Sequence, residues 1–415
     1  MKILWFTNTP SNFEGITKGK DVIWGGWISS LEKSLISHKD LQLGIVFNYK
    51  NSCKTIFQYK NLTYFPIPRS INKIKKLFNR TIGNIDADNF HKQYLDVITD
   101  FNPDLIHVFG TENAFGLLVK AVNIPVVIQI QGILTVINQK YFSDISRADV
   151  KKHVKFIDKI KYDRFAHYRI QKKMAQRERN ILSYAKNIIG RTDWDRRITS
   201  VLAPDARYFK CDELLRDKFY NYTWTNIKNE NNVLVSVLRD STYKGLDIIY
   251  RSALLLNKLL NKNYKWKIIG IDRNSYVNKI LTKKIKGDFS KLVFLGELDE
   301  LKLIMELLSS NIYIHTSYID NSPNSLCEAM MLGLPIISTN VGGIPSFISN
   351  HKNGILISPG DYYELAGSVY ELYNNYEYAI ELGRQARRDA KINHDKDNII
   401  NTLLNIYNKI LNDQK

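Results

Sequence analysis

The chain has 415 residues, roughly twice the length of a typical domain, so two α/β units are expected rather than one large core. Its 44% hydrophobic and 24% charged residues are ordinary for a globular protein and exclude a largely disordered chain. Three scattered cysteines, Cys53, Cys211 and Cys327, argue against a disulfide framework and indicate a reducing compartment. The first apolar run is too short for a signal peptide or a membrane span, which predicts a cytoplasmic protein.

Short β-branched runs alternate with longer amphipathic segments along the whole chain, the pattern of βα units around a parallel sheet. The predicted strands of the first half are 3–8, 43–47, 62–67, 105–109, 126–130 and 187–190. The pattern restarts after a Tyr/Asn/Trp-rich stretch, with predicted strands at 233–237, 265–269, 291–294, 312–315, 335–338 and 354–357. Helices are predicted between the later strands and near the C-terminus, at 245–260, 298–309, 324–332 and 399–411.

The predicted fold class is therefore α/β, with two Rossmann-like domains at 1–220 and 230–394 and a linker near 220–230. In a two-lobed protein of this kind, a terminal helix within 395–415 can pack back on the first domain. A ligand is expected where the carboxyl ends of both sheets face a cleft.

The formal net charge of +18 predicts a partner that carries negative charge. Much of this charge lies in 147–179, and a smaller group lies in 69–80; a solvated helix face explains such runs as well as a functional surface does. Aromatic and aliphatic residues interleave with the cations from Val154 to Tyr168, so attachment to an anionic membrane surface is a hypothesis. The sequence contains no known nucleic-acid-binding motif, and nucleic acid is not a predicted partner.

The segment 312–339 reads as a strand, a polar loop with Asp320, a helix that begins near Asn324 and carries Glu328, and a second strand. The first N–H groups of a helix have no acceptor within it, so backbone groups at Asn324, Ser325 and Leu326 are predicted to bind a diphosphate. Asp320 and Glu328 lie on either side and can accept hydrogen bonds from sugar hydroxyls.

A second loop, between the strand 233–237 and the next helix, contains Arg239 and Lys244. Two fixed cations can neutralise a leaving diphosphate without Mg²⁺, so neither a metal nor a cofactor is predicted. Such a pair alone is usually solvated surface. The functional interpretation is favoured because both loops follow strands of the same predicted sheet.

These motifs resemble those of glycosyltransferase family 4, the GT-B enzymes of polysaccharide and glycolipid synthesis. The family's pattern of Glu, seven residues and Glu-Ala corresponds to Asp320 through Glu328, and its Arg…Lys-Gly pattern corresponds to Arg239 and Lys244. Two later segments are also similar to the family's closing motifs: 341–345 and 353–361.

The resemblance implies a retaining, hexosyl-type glycosyltransferase that uses a nucleotide-diphosphate-sugar donor. It implies Glu328 on the nucleotide ribose, Asp320 near the donor sugar, and Arg239 and Lys244 on the diphosphate. The leaving phosphate itself takes the acceptor proton in the family mechanism. The first acid of the family's pair is usually Glu, so Asp320 is a departure.

The charge placement suggests a glycan or lipid-linked oligosaccharide as the acceptor. Abundant Lys, Asn and Ile are typical of an AT-rich bacterial genome, for which capsular or surface polysaccharide assembly is the natural setting.

The first half resembles the family more weakly. Adjacent Gly25 and Gly26 let backbone approach a phosphate or sugar closely, although a tight turn explains them equally well. Gln131 stands where family members often carry His; it can hydrogen-bond a sugar hydroxyl but cannot shuttle a proton. His107 lies inside an apolar strand, which favours a core histidine over a ligand, and Glu112 beyond it is a candidate acceptor contact.

Two Asp-x-Asp pairs, 86–88 and 193–195, are interpreted as surface rather than as cation sites, and nearby arginines disfavour a cation at the second. A GT-B phosphorylase or a sugar-nucleotide epimerase would share the architecture, but no lysine motif suits a pyridoxal cofactor. A catalytically silent protein that binds a glycan or lipid headgroup is the alternative from another class. The departures at Asp320 and Gln131 permit it, whereas Arg239, Lys244 and Glu328 argue against it.

Overall fold

The computed structural model describes residues 1–19, 26–49, 56–68, 90–153, 164–225 and 232–413. Contacts divide the chain into two compact units. Unit 1 consists of Met1–Asn138, Arg164–Arg216 and His394–Lys415, and unit 2 consists of Gln139–Asp163 and Asp217–Asn393. Residues 139–163 thus group with unit 2, although they precede the predicted linker.

The sheet of unit 1 is formed by β1 (Lys2–Thr7), β2 (Gln42–Tyr49), β3 (Phe57–Tyr59), β4 (Leu62–Pro68), β5 (Leu105–Phe109), β6 (Val126–Gln129), β7 (Asn187–Gly190) and β8 (Arg207–Lys210). Over the described residues, their order is β3-β4-β2-β1-β5-β6-β7-β8, and neighbours are parallel except for the antiparallel pair of β3 and β4. The sequence did not predict β3 and β8 because β3 is short and both ends of β8 are exposed and basic.

The sheet of unit 2 is formed by β9 (Val233–Val237), β10 (Lys265–Ile269), β11 (Leu292–Gly296), β12 (Ile312–His315), β13 (Ile336–Thr339) and β14 (Ile355–Ile357). Their order in the described chain is β11-β10-β9-β12-β13-β14, and neighbouring strands are parallel. The strand order reverses between β9 and β12, and ligands of such sheets bind outside the carboxyl ends of the strands at that point.

The helices, in chain order, are α1 (Phe13–Lys18), α2 (Gly26–Leu35), α3 (Phe90–Phe101), α4 (Leu134–Ile137), α5 (Arg147–His153), α6 (Arg164–Leu182), α7 (Asp193–Leu202), α8 (Leu246–Leu259), α9 (Tyr276–Lys284), α10 (Glu300–Leu308), α11 (Asn324–Leu332), α12 (Tyr362–Asn374), α13 (Tyr376–Asn393) and α14 (Lys396–Asn412). Among the described residues, no helix combines the length and the apolar character needed to cross a membrane.

The terminal helix α14 packs on unit 1. Its apolar stripe is buried in the same cluster as β1 and β2 and consists of Ile399, Ile400, Leu403, Ile406, Tyr407 and Ile410. Asp395 caps the helix by accepting a hydrogen bond from the Asn398 N–H at 2.8 Å. Burial of this stripe ties the end of the chain to its beginning.

Candidate functional site

Three loops of unit 2, which follow β9, β12 and β13, meet at Asp320. The Lys244 Nζ atom from the first loop lies 2.5 Å from Asp320 Oδ2. From the third loop, the Gly343 N–H donates to the Asp320 carbonyl at 3.0 Å. Asp320 therefore joins the two loops that flank its own, at the point where the strand order reverses.

The Asp320 carboxylate is held by three side chains. Besides Lys244, His315 Nε2 lies 3.1 Å from Oδ2, and the Ser317 hydroxyl donates to the same oxygen at 3.3 Å. Burial raises the pKa of Asp320, but Lys244 and His315 outweigh it and hold the pKa well below its usual range. Asp320 is thus a carboxylate at neutral pH, and it forms an ion pair with Lys244.

Two glycines let these loops approach so closely. Gly245 has φ of +74°, and a Cβ atom there would lie 1.9 Å from the Thr316 carbonyl oxygen. Gly342 has φ of +55°, and a Cβ atom there would lie 1.8 Å from the Asp320 carbonyl oxygen. Both positions combine a left-handed backbone with a contact that no side chain permits, so glycine is required at each.

The N-terminus of α11 has backbone groups available for an anion. Its N-cap residue, Pro323, makes no side-chain cap, while the N–H groups of Leu326 and Cys327 donate to the Pro323 carbonyl at 2.9 and 3.2 Å. The N–H groups of Asn324 and Ser325, at the first two positions of the helix, have no acceptor within it. The N–H group of Leu326, in contrast, is already bonded within the first turn.

Glu328 lies on α11 and its side chain is only 3% exposed. The hydroxyl of Tyr313, the second residue of β12, donates to the Ser325 hydroxyl at 2.9 Å. Burial is the main cause that raises the pKa of Tyr313, and the charges of Glu328 and Asp320 raise it further. The Tyr313 hydroxyl thus interacts electrostatically with both predicted carboxylates. Sequence reasoning missed Tyr313 because it looks like an ordinary strand residue.

Arg239 is exposed in the loop after β9. Its side chain makes no hydrogen bond or ion pair with any other residue that the structure describes. A guanidinium at this edge of the sheet can bind a phosphate without first breaking an internal contact.

In unit 1, His107 is fully buried in β5. Its Nδ1 atom lies 2.6 Å from the Tyr407 hydroxyl, and its ring stacks on Phe109 with centroids 4.0 Å apart. Burial lowers the pKa of His107 to about 3, so the imidazole is neutral.

Of the two adjacent glycines predicted to approach a ligand, Gly25 lies outside the described residues. Gly26 begins α2 with φ of +55° and has open space around it.

Gln131 belongs to a buried polar cluster that the sequence did not indicate. Its Nε2 atom donates to Glu213 Oε1 at 2.9 Å, and Glu213 also forms an ion pair with Arg191, each of these two being 3% exposed. Burial raises the pKa of Glu213 to about 7, although Arg191 and Gln131 lower it. The Gln131 amide is thus already engaged within the protein.

Glu112 lies in the loop after β5 and accepts a hydrogen bond from Asn8 Nδ2 at 3.2 Å. Burial raises the pKa of the Glu112 carboxyl above its usual value. Its backbone carbonyl accepts from Arg177, a member of the basic run that is largely buried. Not all of that run is a solvated face.

The second Asp-x-Asp pair is only partly on the surface. Asp193 is exposed, but Asp195 is fully buried and forms a capping box with Thr192 at the start of α7. Asp195 also accepts hydrogen bonds from the Arg191 N–H at 3.0 Å and the Tyr208 hydroxyl at 2.5 Å. The surface interpretation is wrong for Asp195, whose charge stabilises the helix N-terminus.

Three predicted features lie wholly or mostly outside the described residues: the pair 86–88, the basic group 69–80 and the interleaved segment 154–168.

Comparison with known proteins finds a family match in unit 2. Residues 224–389 match the family described as "Glycosyl transferases group 1". Among curated relatives, N-acetyl-alpha-D-glucosaminyl L-malate synthase of Bacillus anthracis is 31% identical over 126 residues, 30% of this chain and 32% of that protein. Capsular polysaccharide biosynthesis glycosyltransferase CapM of Staphylococcus aureus is 23% identical over 194 residues, 45% of this chain and 48% of that protein. These matches span less than half of each relative's own length.

Solved structures match over nearly the whole chain. Sucrose-phosphate synthase from Thermosynechococcus elongatus aligns with a TM-score of 0.73 and 14% identity over 99% of both chains. Anabaena Alr3699/HepE in complex with UDP-glucose aligns with a TM-score of 0.67 and 15% identity, over 99% of this chain and 100% of that chain. At such identities the likeness concerns the fold, and it confirms the predicted GT-B class with two Rossmann-like sheets.

Proposed function

We propose that the chain, whose residues 224–389 match the glycosyl transferases group 1 family, is a retaining, metal-independent glycosyltransferase that uses a nucleotide-diphosphate sugar. The observation that carries the proposal is the meeting of Lys244 and Asp320 at the switch point of the unit 2 sheet, within the family segment. The family match confirms the predicted resemblance; the donor, mechanism and acceptor are the content of the proposal.

The donor diphosphate binds at the N-terminus of α11. The N–H groups of Asn324 and Ser325 donate to its oxygens, and the positive end of the helix favours the negative charge. Arg239 supplies a guanidinium with no competing partner in the described chain, and Lys244 has further donors beyond the one used by Asp320. These cations do the work of a divalent metal in stabilising the leaving group.

The two carboxylates have different roles. Glu328, buried on α11, accepts hydrogen bonds from the nucleotide ribose. Asp320 positions Lys244 and thereby fixes where the ammonium meets the diphosphate. The family motif implies a place near the donor sugar for Asp320. In this proposal Asp320 also acts on the diphosphate indirectly, by positioning Lys244. The side chain, one methylene shorter than Glu, fits the contact that the loops impose.

In the reaction, the bond between the anomeric carbon and the donor phosphate oxygen breaks, and the nucleoside diphosphate leaves. The acceptor hydroxyl attacks the anomeric carbon on the same face, and its proton passes to the leaving phosphate oxygen. Configuration is retained, and no protein base is needed. Stabilising the developing charge on the diphosphate is the main contribution of the protein.

The proposed acceptor is a glycan or lipid-linked oligosaccharide in bacterial capsular or surface polysaccharide synthesis. Support comes from relatives named for such pathways, including CapM and the O-antigen chain mannosyltransferase C of Escherichia coli, which is 30% identical over 173 residues, 41% of this chain and 44% of that protein. The names describe those proteins, and the acceptor of this chain is inferred from them.

A thermal-shift screen against UDP-, GDP-, ADP- and CMP-sugars in EDTA tests the donor site. A donor present at about 100 times its Kd should stabilise the protein by about 2.7 kcal/mol. Arg239→Ala and Glu328→Gln should weaken binding by about tenfold or more, because each removes a charged hydrogen-bonding group. The matched control is Arg384→Ala, which removes an exposed cation from α13 and should leave the shift unchanged.

Stabilisation by a donor without turnover would favour the silent binding protein. No stabilisation by any of these nucleotide sugars, or equal stabilisation of the wild type and both site variants, would contradict the proposed donor site.

Attachment to an anionic membrane surface is part of the same proposal. The net charge of +18 and the exposed Lys151 and Lys152 on α5 support it. The protein should sediment with phosphatidylglycerol vesicles at low salt, and Lys151→Glu with Lys152→Glu should reduce the bound fraction. Phosphatidylcholine vesicles serve as the control. If the protein stays in the supernatant at the lowest salt, membrane attachment is wrong.

A further inference from the structure

A cavity lies in unit 2, away from Asp320. Its volume is about 530 Å³, within the range of small-molecule sites of roughly 300–1,000 Å³. It lies between the loop 349–353 and one face of α13. Because that loop precedes β14, the cavity lies at the amino edge of the sheet, whereas the proposed donor site lies at the carboxyl edge. The two sites are therefore separate.

The loop wall of the cavity is firmly held. Asn353 accepts a hydrogen bond from the Ser349 N–H at 2.8 Å and donates to the Phe347 carbonyl at 3.0 Å and to Asp389 Oδ2 at 2.7 Å. His351 has φ of +60°, a left-handed conformation that is uncommon for residues other than glycine. Its ring Nδ1 lies 3.0 Å from the Tyr378 hydroxyl. These contacts preform the wall before any ligand arrives.

The helix wall is a polar stripe. Tyr378, Glu381, Gln385 and Arg388 follow one another at spacings of three or four residues and so lie on one face of α13. Gln385 Nε2 donates to Asp389 Oδ1 at 2.7 Å, and Arg388 Nη2 donates to Gln385 Oε1 at 2.6 Å. The planar groups are thus fixed against each other rather than free to rotate.

The charges of the lining cancel. Lys352 and Arg388 are balanced by Glu381 and Asp389, so the cavity selects neither an anion nor a cation. Within the described chain, the side chains of Lys352 and Glu381 make no hydrogen bond or ion pair, which leaves a donor and an acceptor for a ligand. The half-buried Tyr378 adds an aromatic face with a polar tip. A neutral ligand with many hydroxyl groups matches this combination of charge, hydrogen-bonding groups and ring.

We propose that this cavity is a second saccharide-binding site that holds a short segment of a neutral glycan. It goes beyond the proposed donor site, with which it shares no residue. Tyr378 stacks on a sugar ring, Lys352 donates to its hydroxyl oxygens, and Glu381 accepts from its hydroxyl groups. A site of this kind keeps a glycan chain on the protein independently of the reaction at the other edge of the sheet.

Ligand-observed NMR with maltotriose and chitotriose, two neutral trisaccharides of different composition, tests the site. At least one should bind saturably, with a Kd on the order of 1 mM. Tyr378→Ala and Glu381→Gln should each weaken that binding by about tenfold. Glu377→Gln, which alters an exposed carboxylate next in sequence to Tyr378, is the matched control and should have no effect.

Three outcomes would overturn the site: no saturable binding of either trisaccharide at about 20 mM, binding that survives both cavity variants, or inorganic phosphate displacing the saccharide and losing its own binding in Lys352→Ala. The donor thermal shift should be unchanged in Tyr378→Ala. A lost donor site with intact saccharide binding would therefore count against the proposed function alone.

Discussion

At the scale of single residues, the Lys244–Asp320 ion pair defines the candidate donor site. Both side chains are mostly buried, with exposures of 17% and 16%. Each side chain is the counter-charge of the other, and without it the remaining charge would be buried and unpaired. The pair fixes an ammonium at the edge of the sheet where a diphosphate is expected.

Asp320→Asn should destabilise the protein at neutral pH by about 3 kcal/mol, because it leaves Lys244 without its counter-charge. The low pKa of Asp320 in the folded state also sets the pH dependence. The stabilisation is fully present above the unfolded pKa of about 4 and is lost as the pH falls below it towards the folded pKa. The difference in unfolding free energy between wild type and variant should therefore be constant from pH 7 to pH 5 and shrink at pH 3.

Urea unfolding at these three pH values measures the difference. Asp205→Asn, which alters an exposed aspartate, is the control and should change the free energy of unfolding by less than about 0.5 kcal/mol. A difference that stays constant or grows at pH 3 would contradict the low pKa of Asp320.

Sequence reasoning reached some of these residues and not others. Arg239, Lys244 and Asp320 follow neighbouring strands of one parallel sheet, so their common edge could be predicted. The direct contact of Lys244 with Asp320 could not be predicted, because it depends on the conformations of two separate loops. Tyr313 was missed because nothing in a strand sequence shows which hydroxyl finds a partner.

At the scale of elements, the loop after β9 depends on Gly245. Gly245→Ala should destabilise unit 2 by about 2 kcal/mol or more, because the residue has φ of +74° and a Cβ would clash with the Thr316 carbonyl. The same change should weaken donor binding, because Thr316 also holds the Lys244 carbonyl at 3.1 Å.

Gly367→Ala is the matched control, since Gly367 lies in α12 with open space around it. It should stabilise the protein by about 0.5–1 kcal/mol. Thermal unfolding of both variants, with and without donor, makes the comparison. Equal effects of the two substitutions would show that the contact with Thr316 does not matter.

The predicted strands correspond to observed strands because buried parallel strands are apolar and β-branched. The exceptions have a physical reason. β8 begins and ends with exposed basic residues, so its strand character comes from pairing with β7 and not from its composition.

At the scale of the whole molecule, the chain leaves unit 1 and returns to it, which the sequence did not predict. Residues 139–163 group with unit 2 through contacts such as the 3.0 Å ion pair between Asp149 of α5 and Lys284 of α9. An ion pair between distant segments has no signature in composition or periodicity. The apolar stripe of α14, in contrast, is evident in the sequence as a helix with one buried face.

Retention and metal independence are properties of the whole molecule, and the anomeric configuration of the sugar released on hydrolysis measures the first of them. ¹H NMR would follow hydrolysis of the donor that stabilises the protein, with EDTA present throughout. The first sugar to appear should have the same anomeric configuration as the donor, and its release should be lost in Arg239→Ala. Initial release of the opposite anomer, or release only after a divalent metal is added, would contradict a retaining, metal-independent transferase.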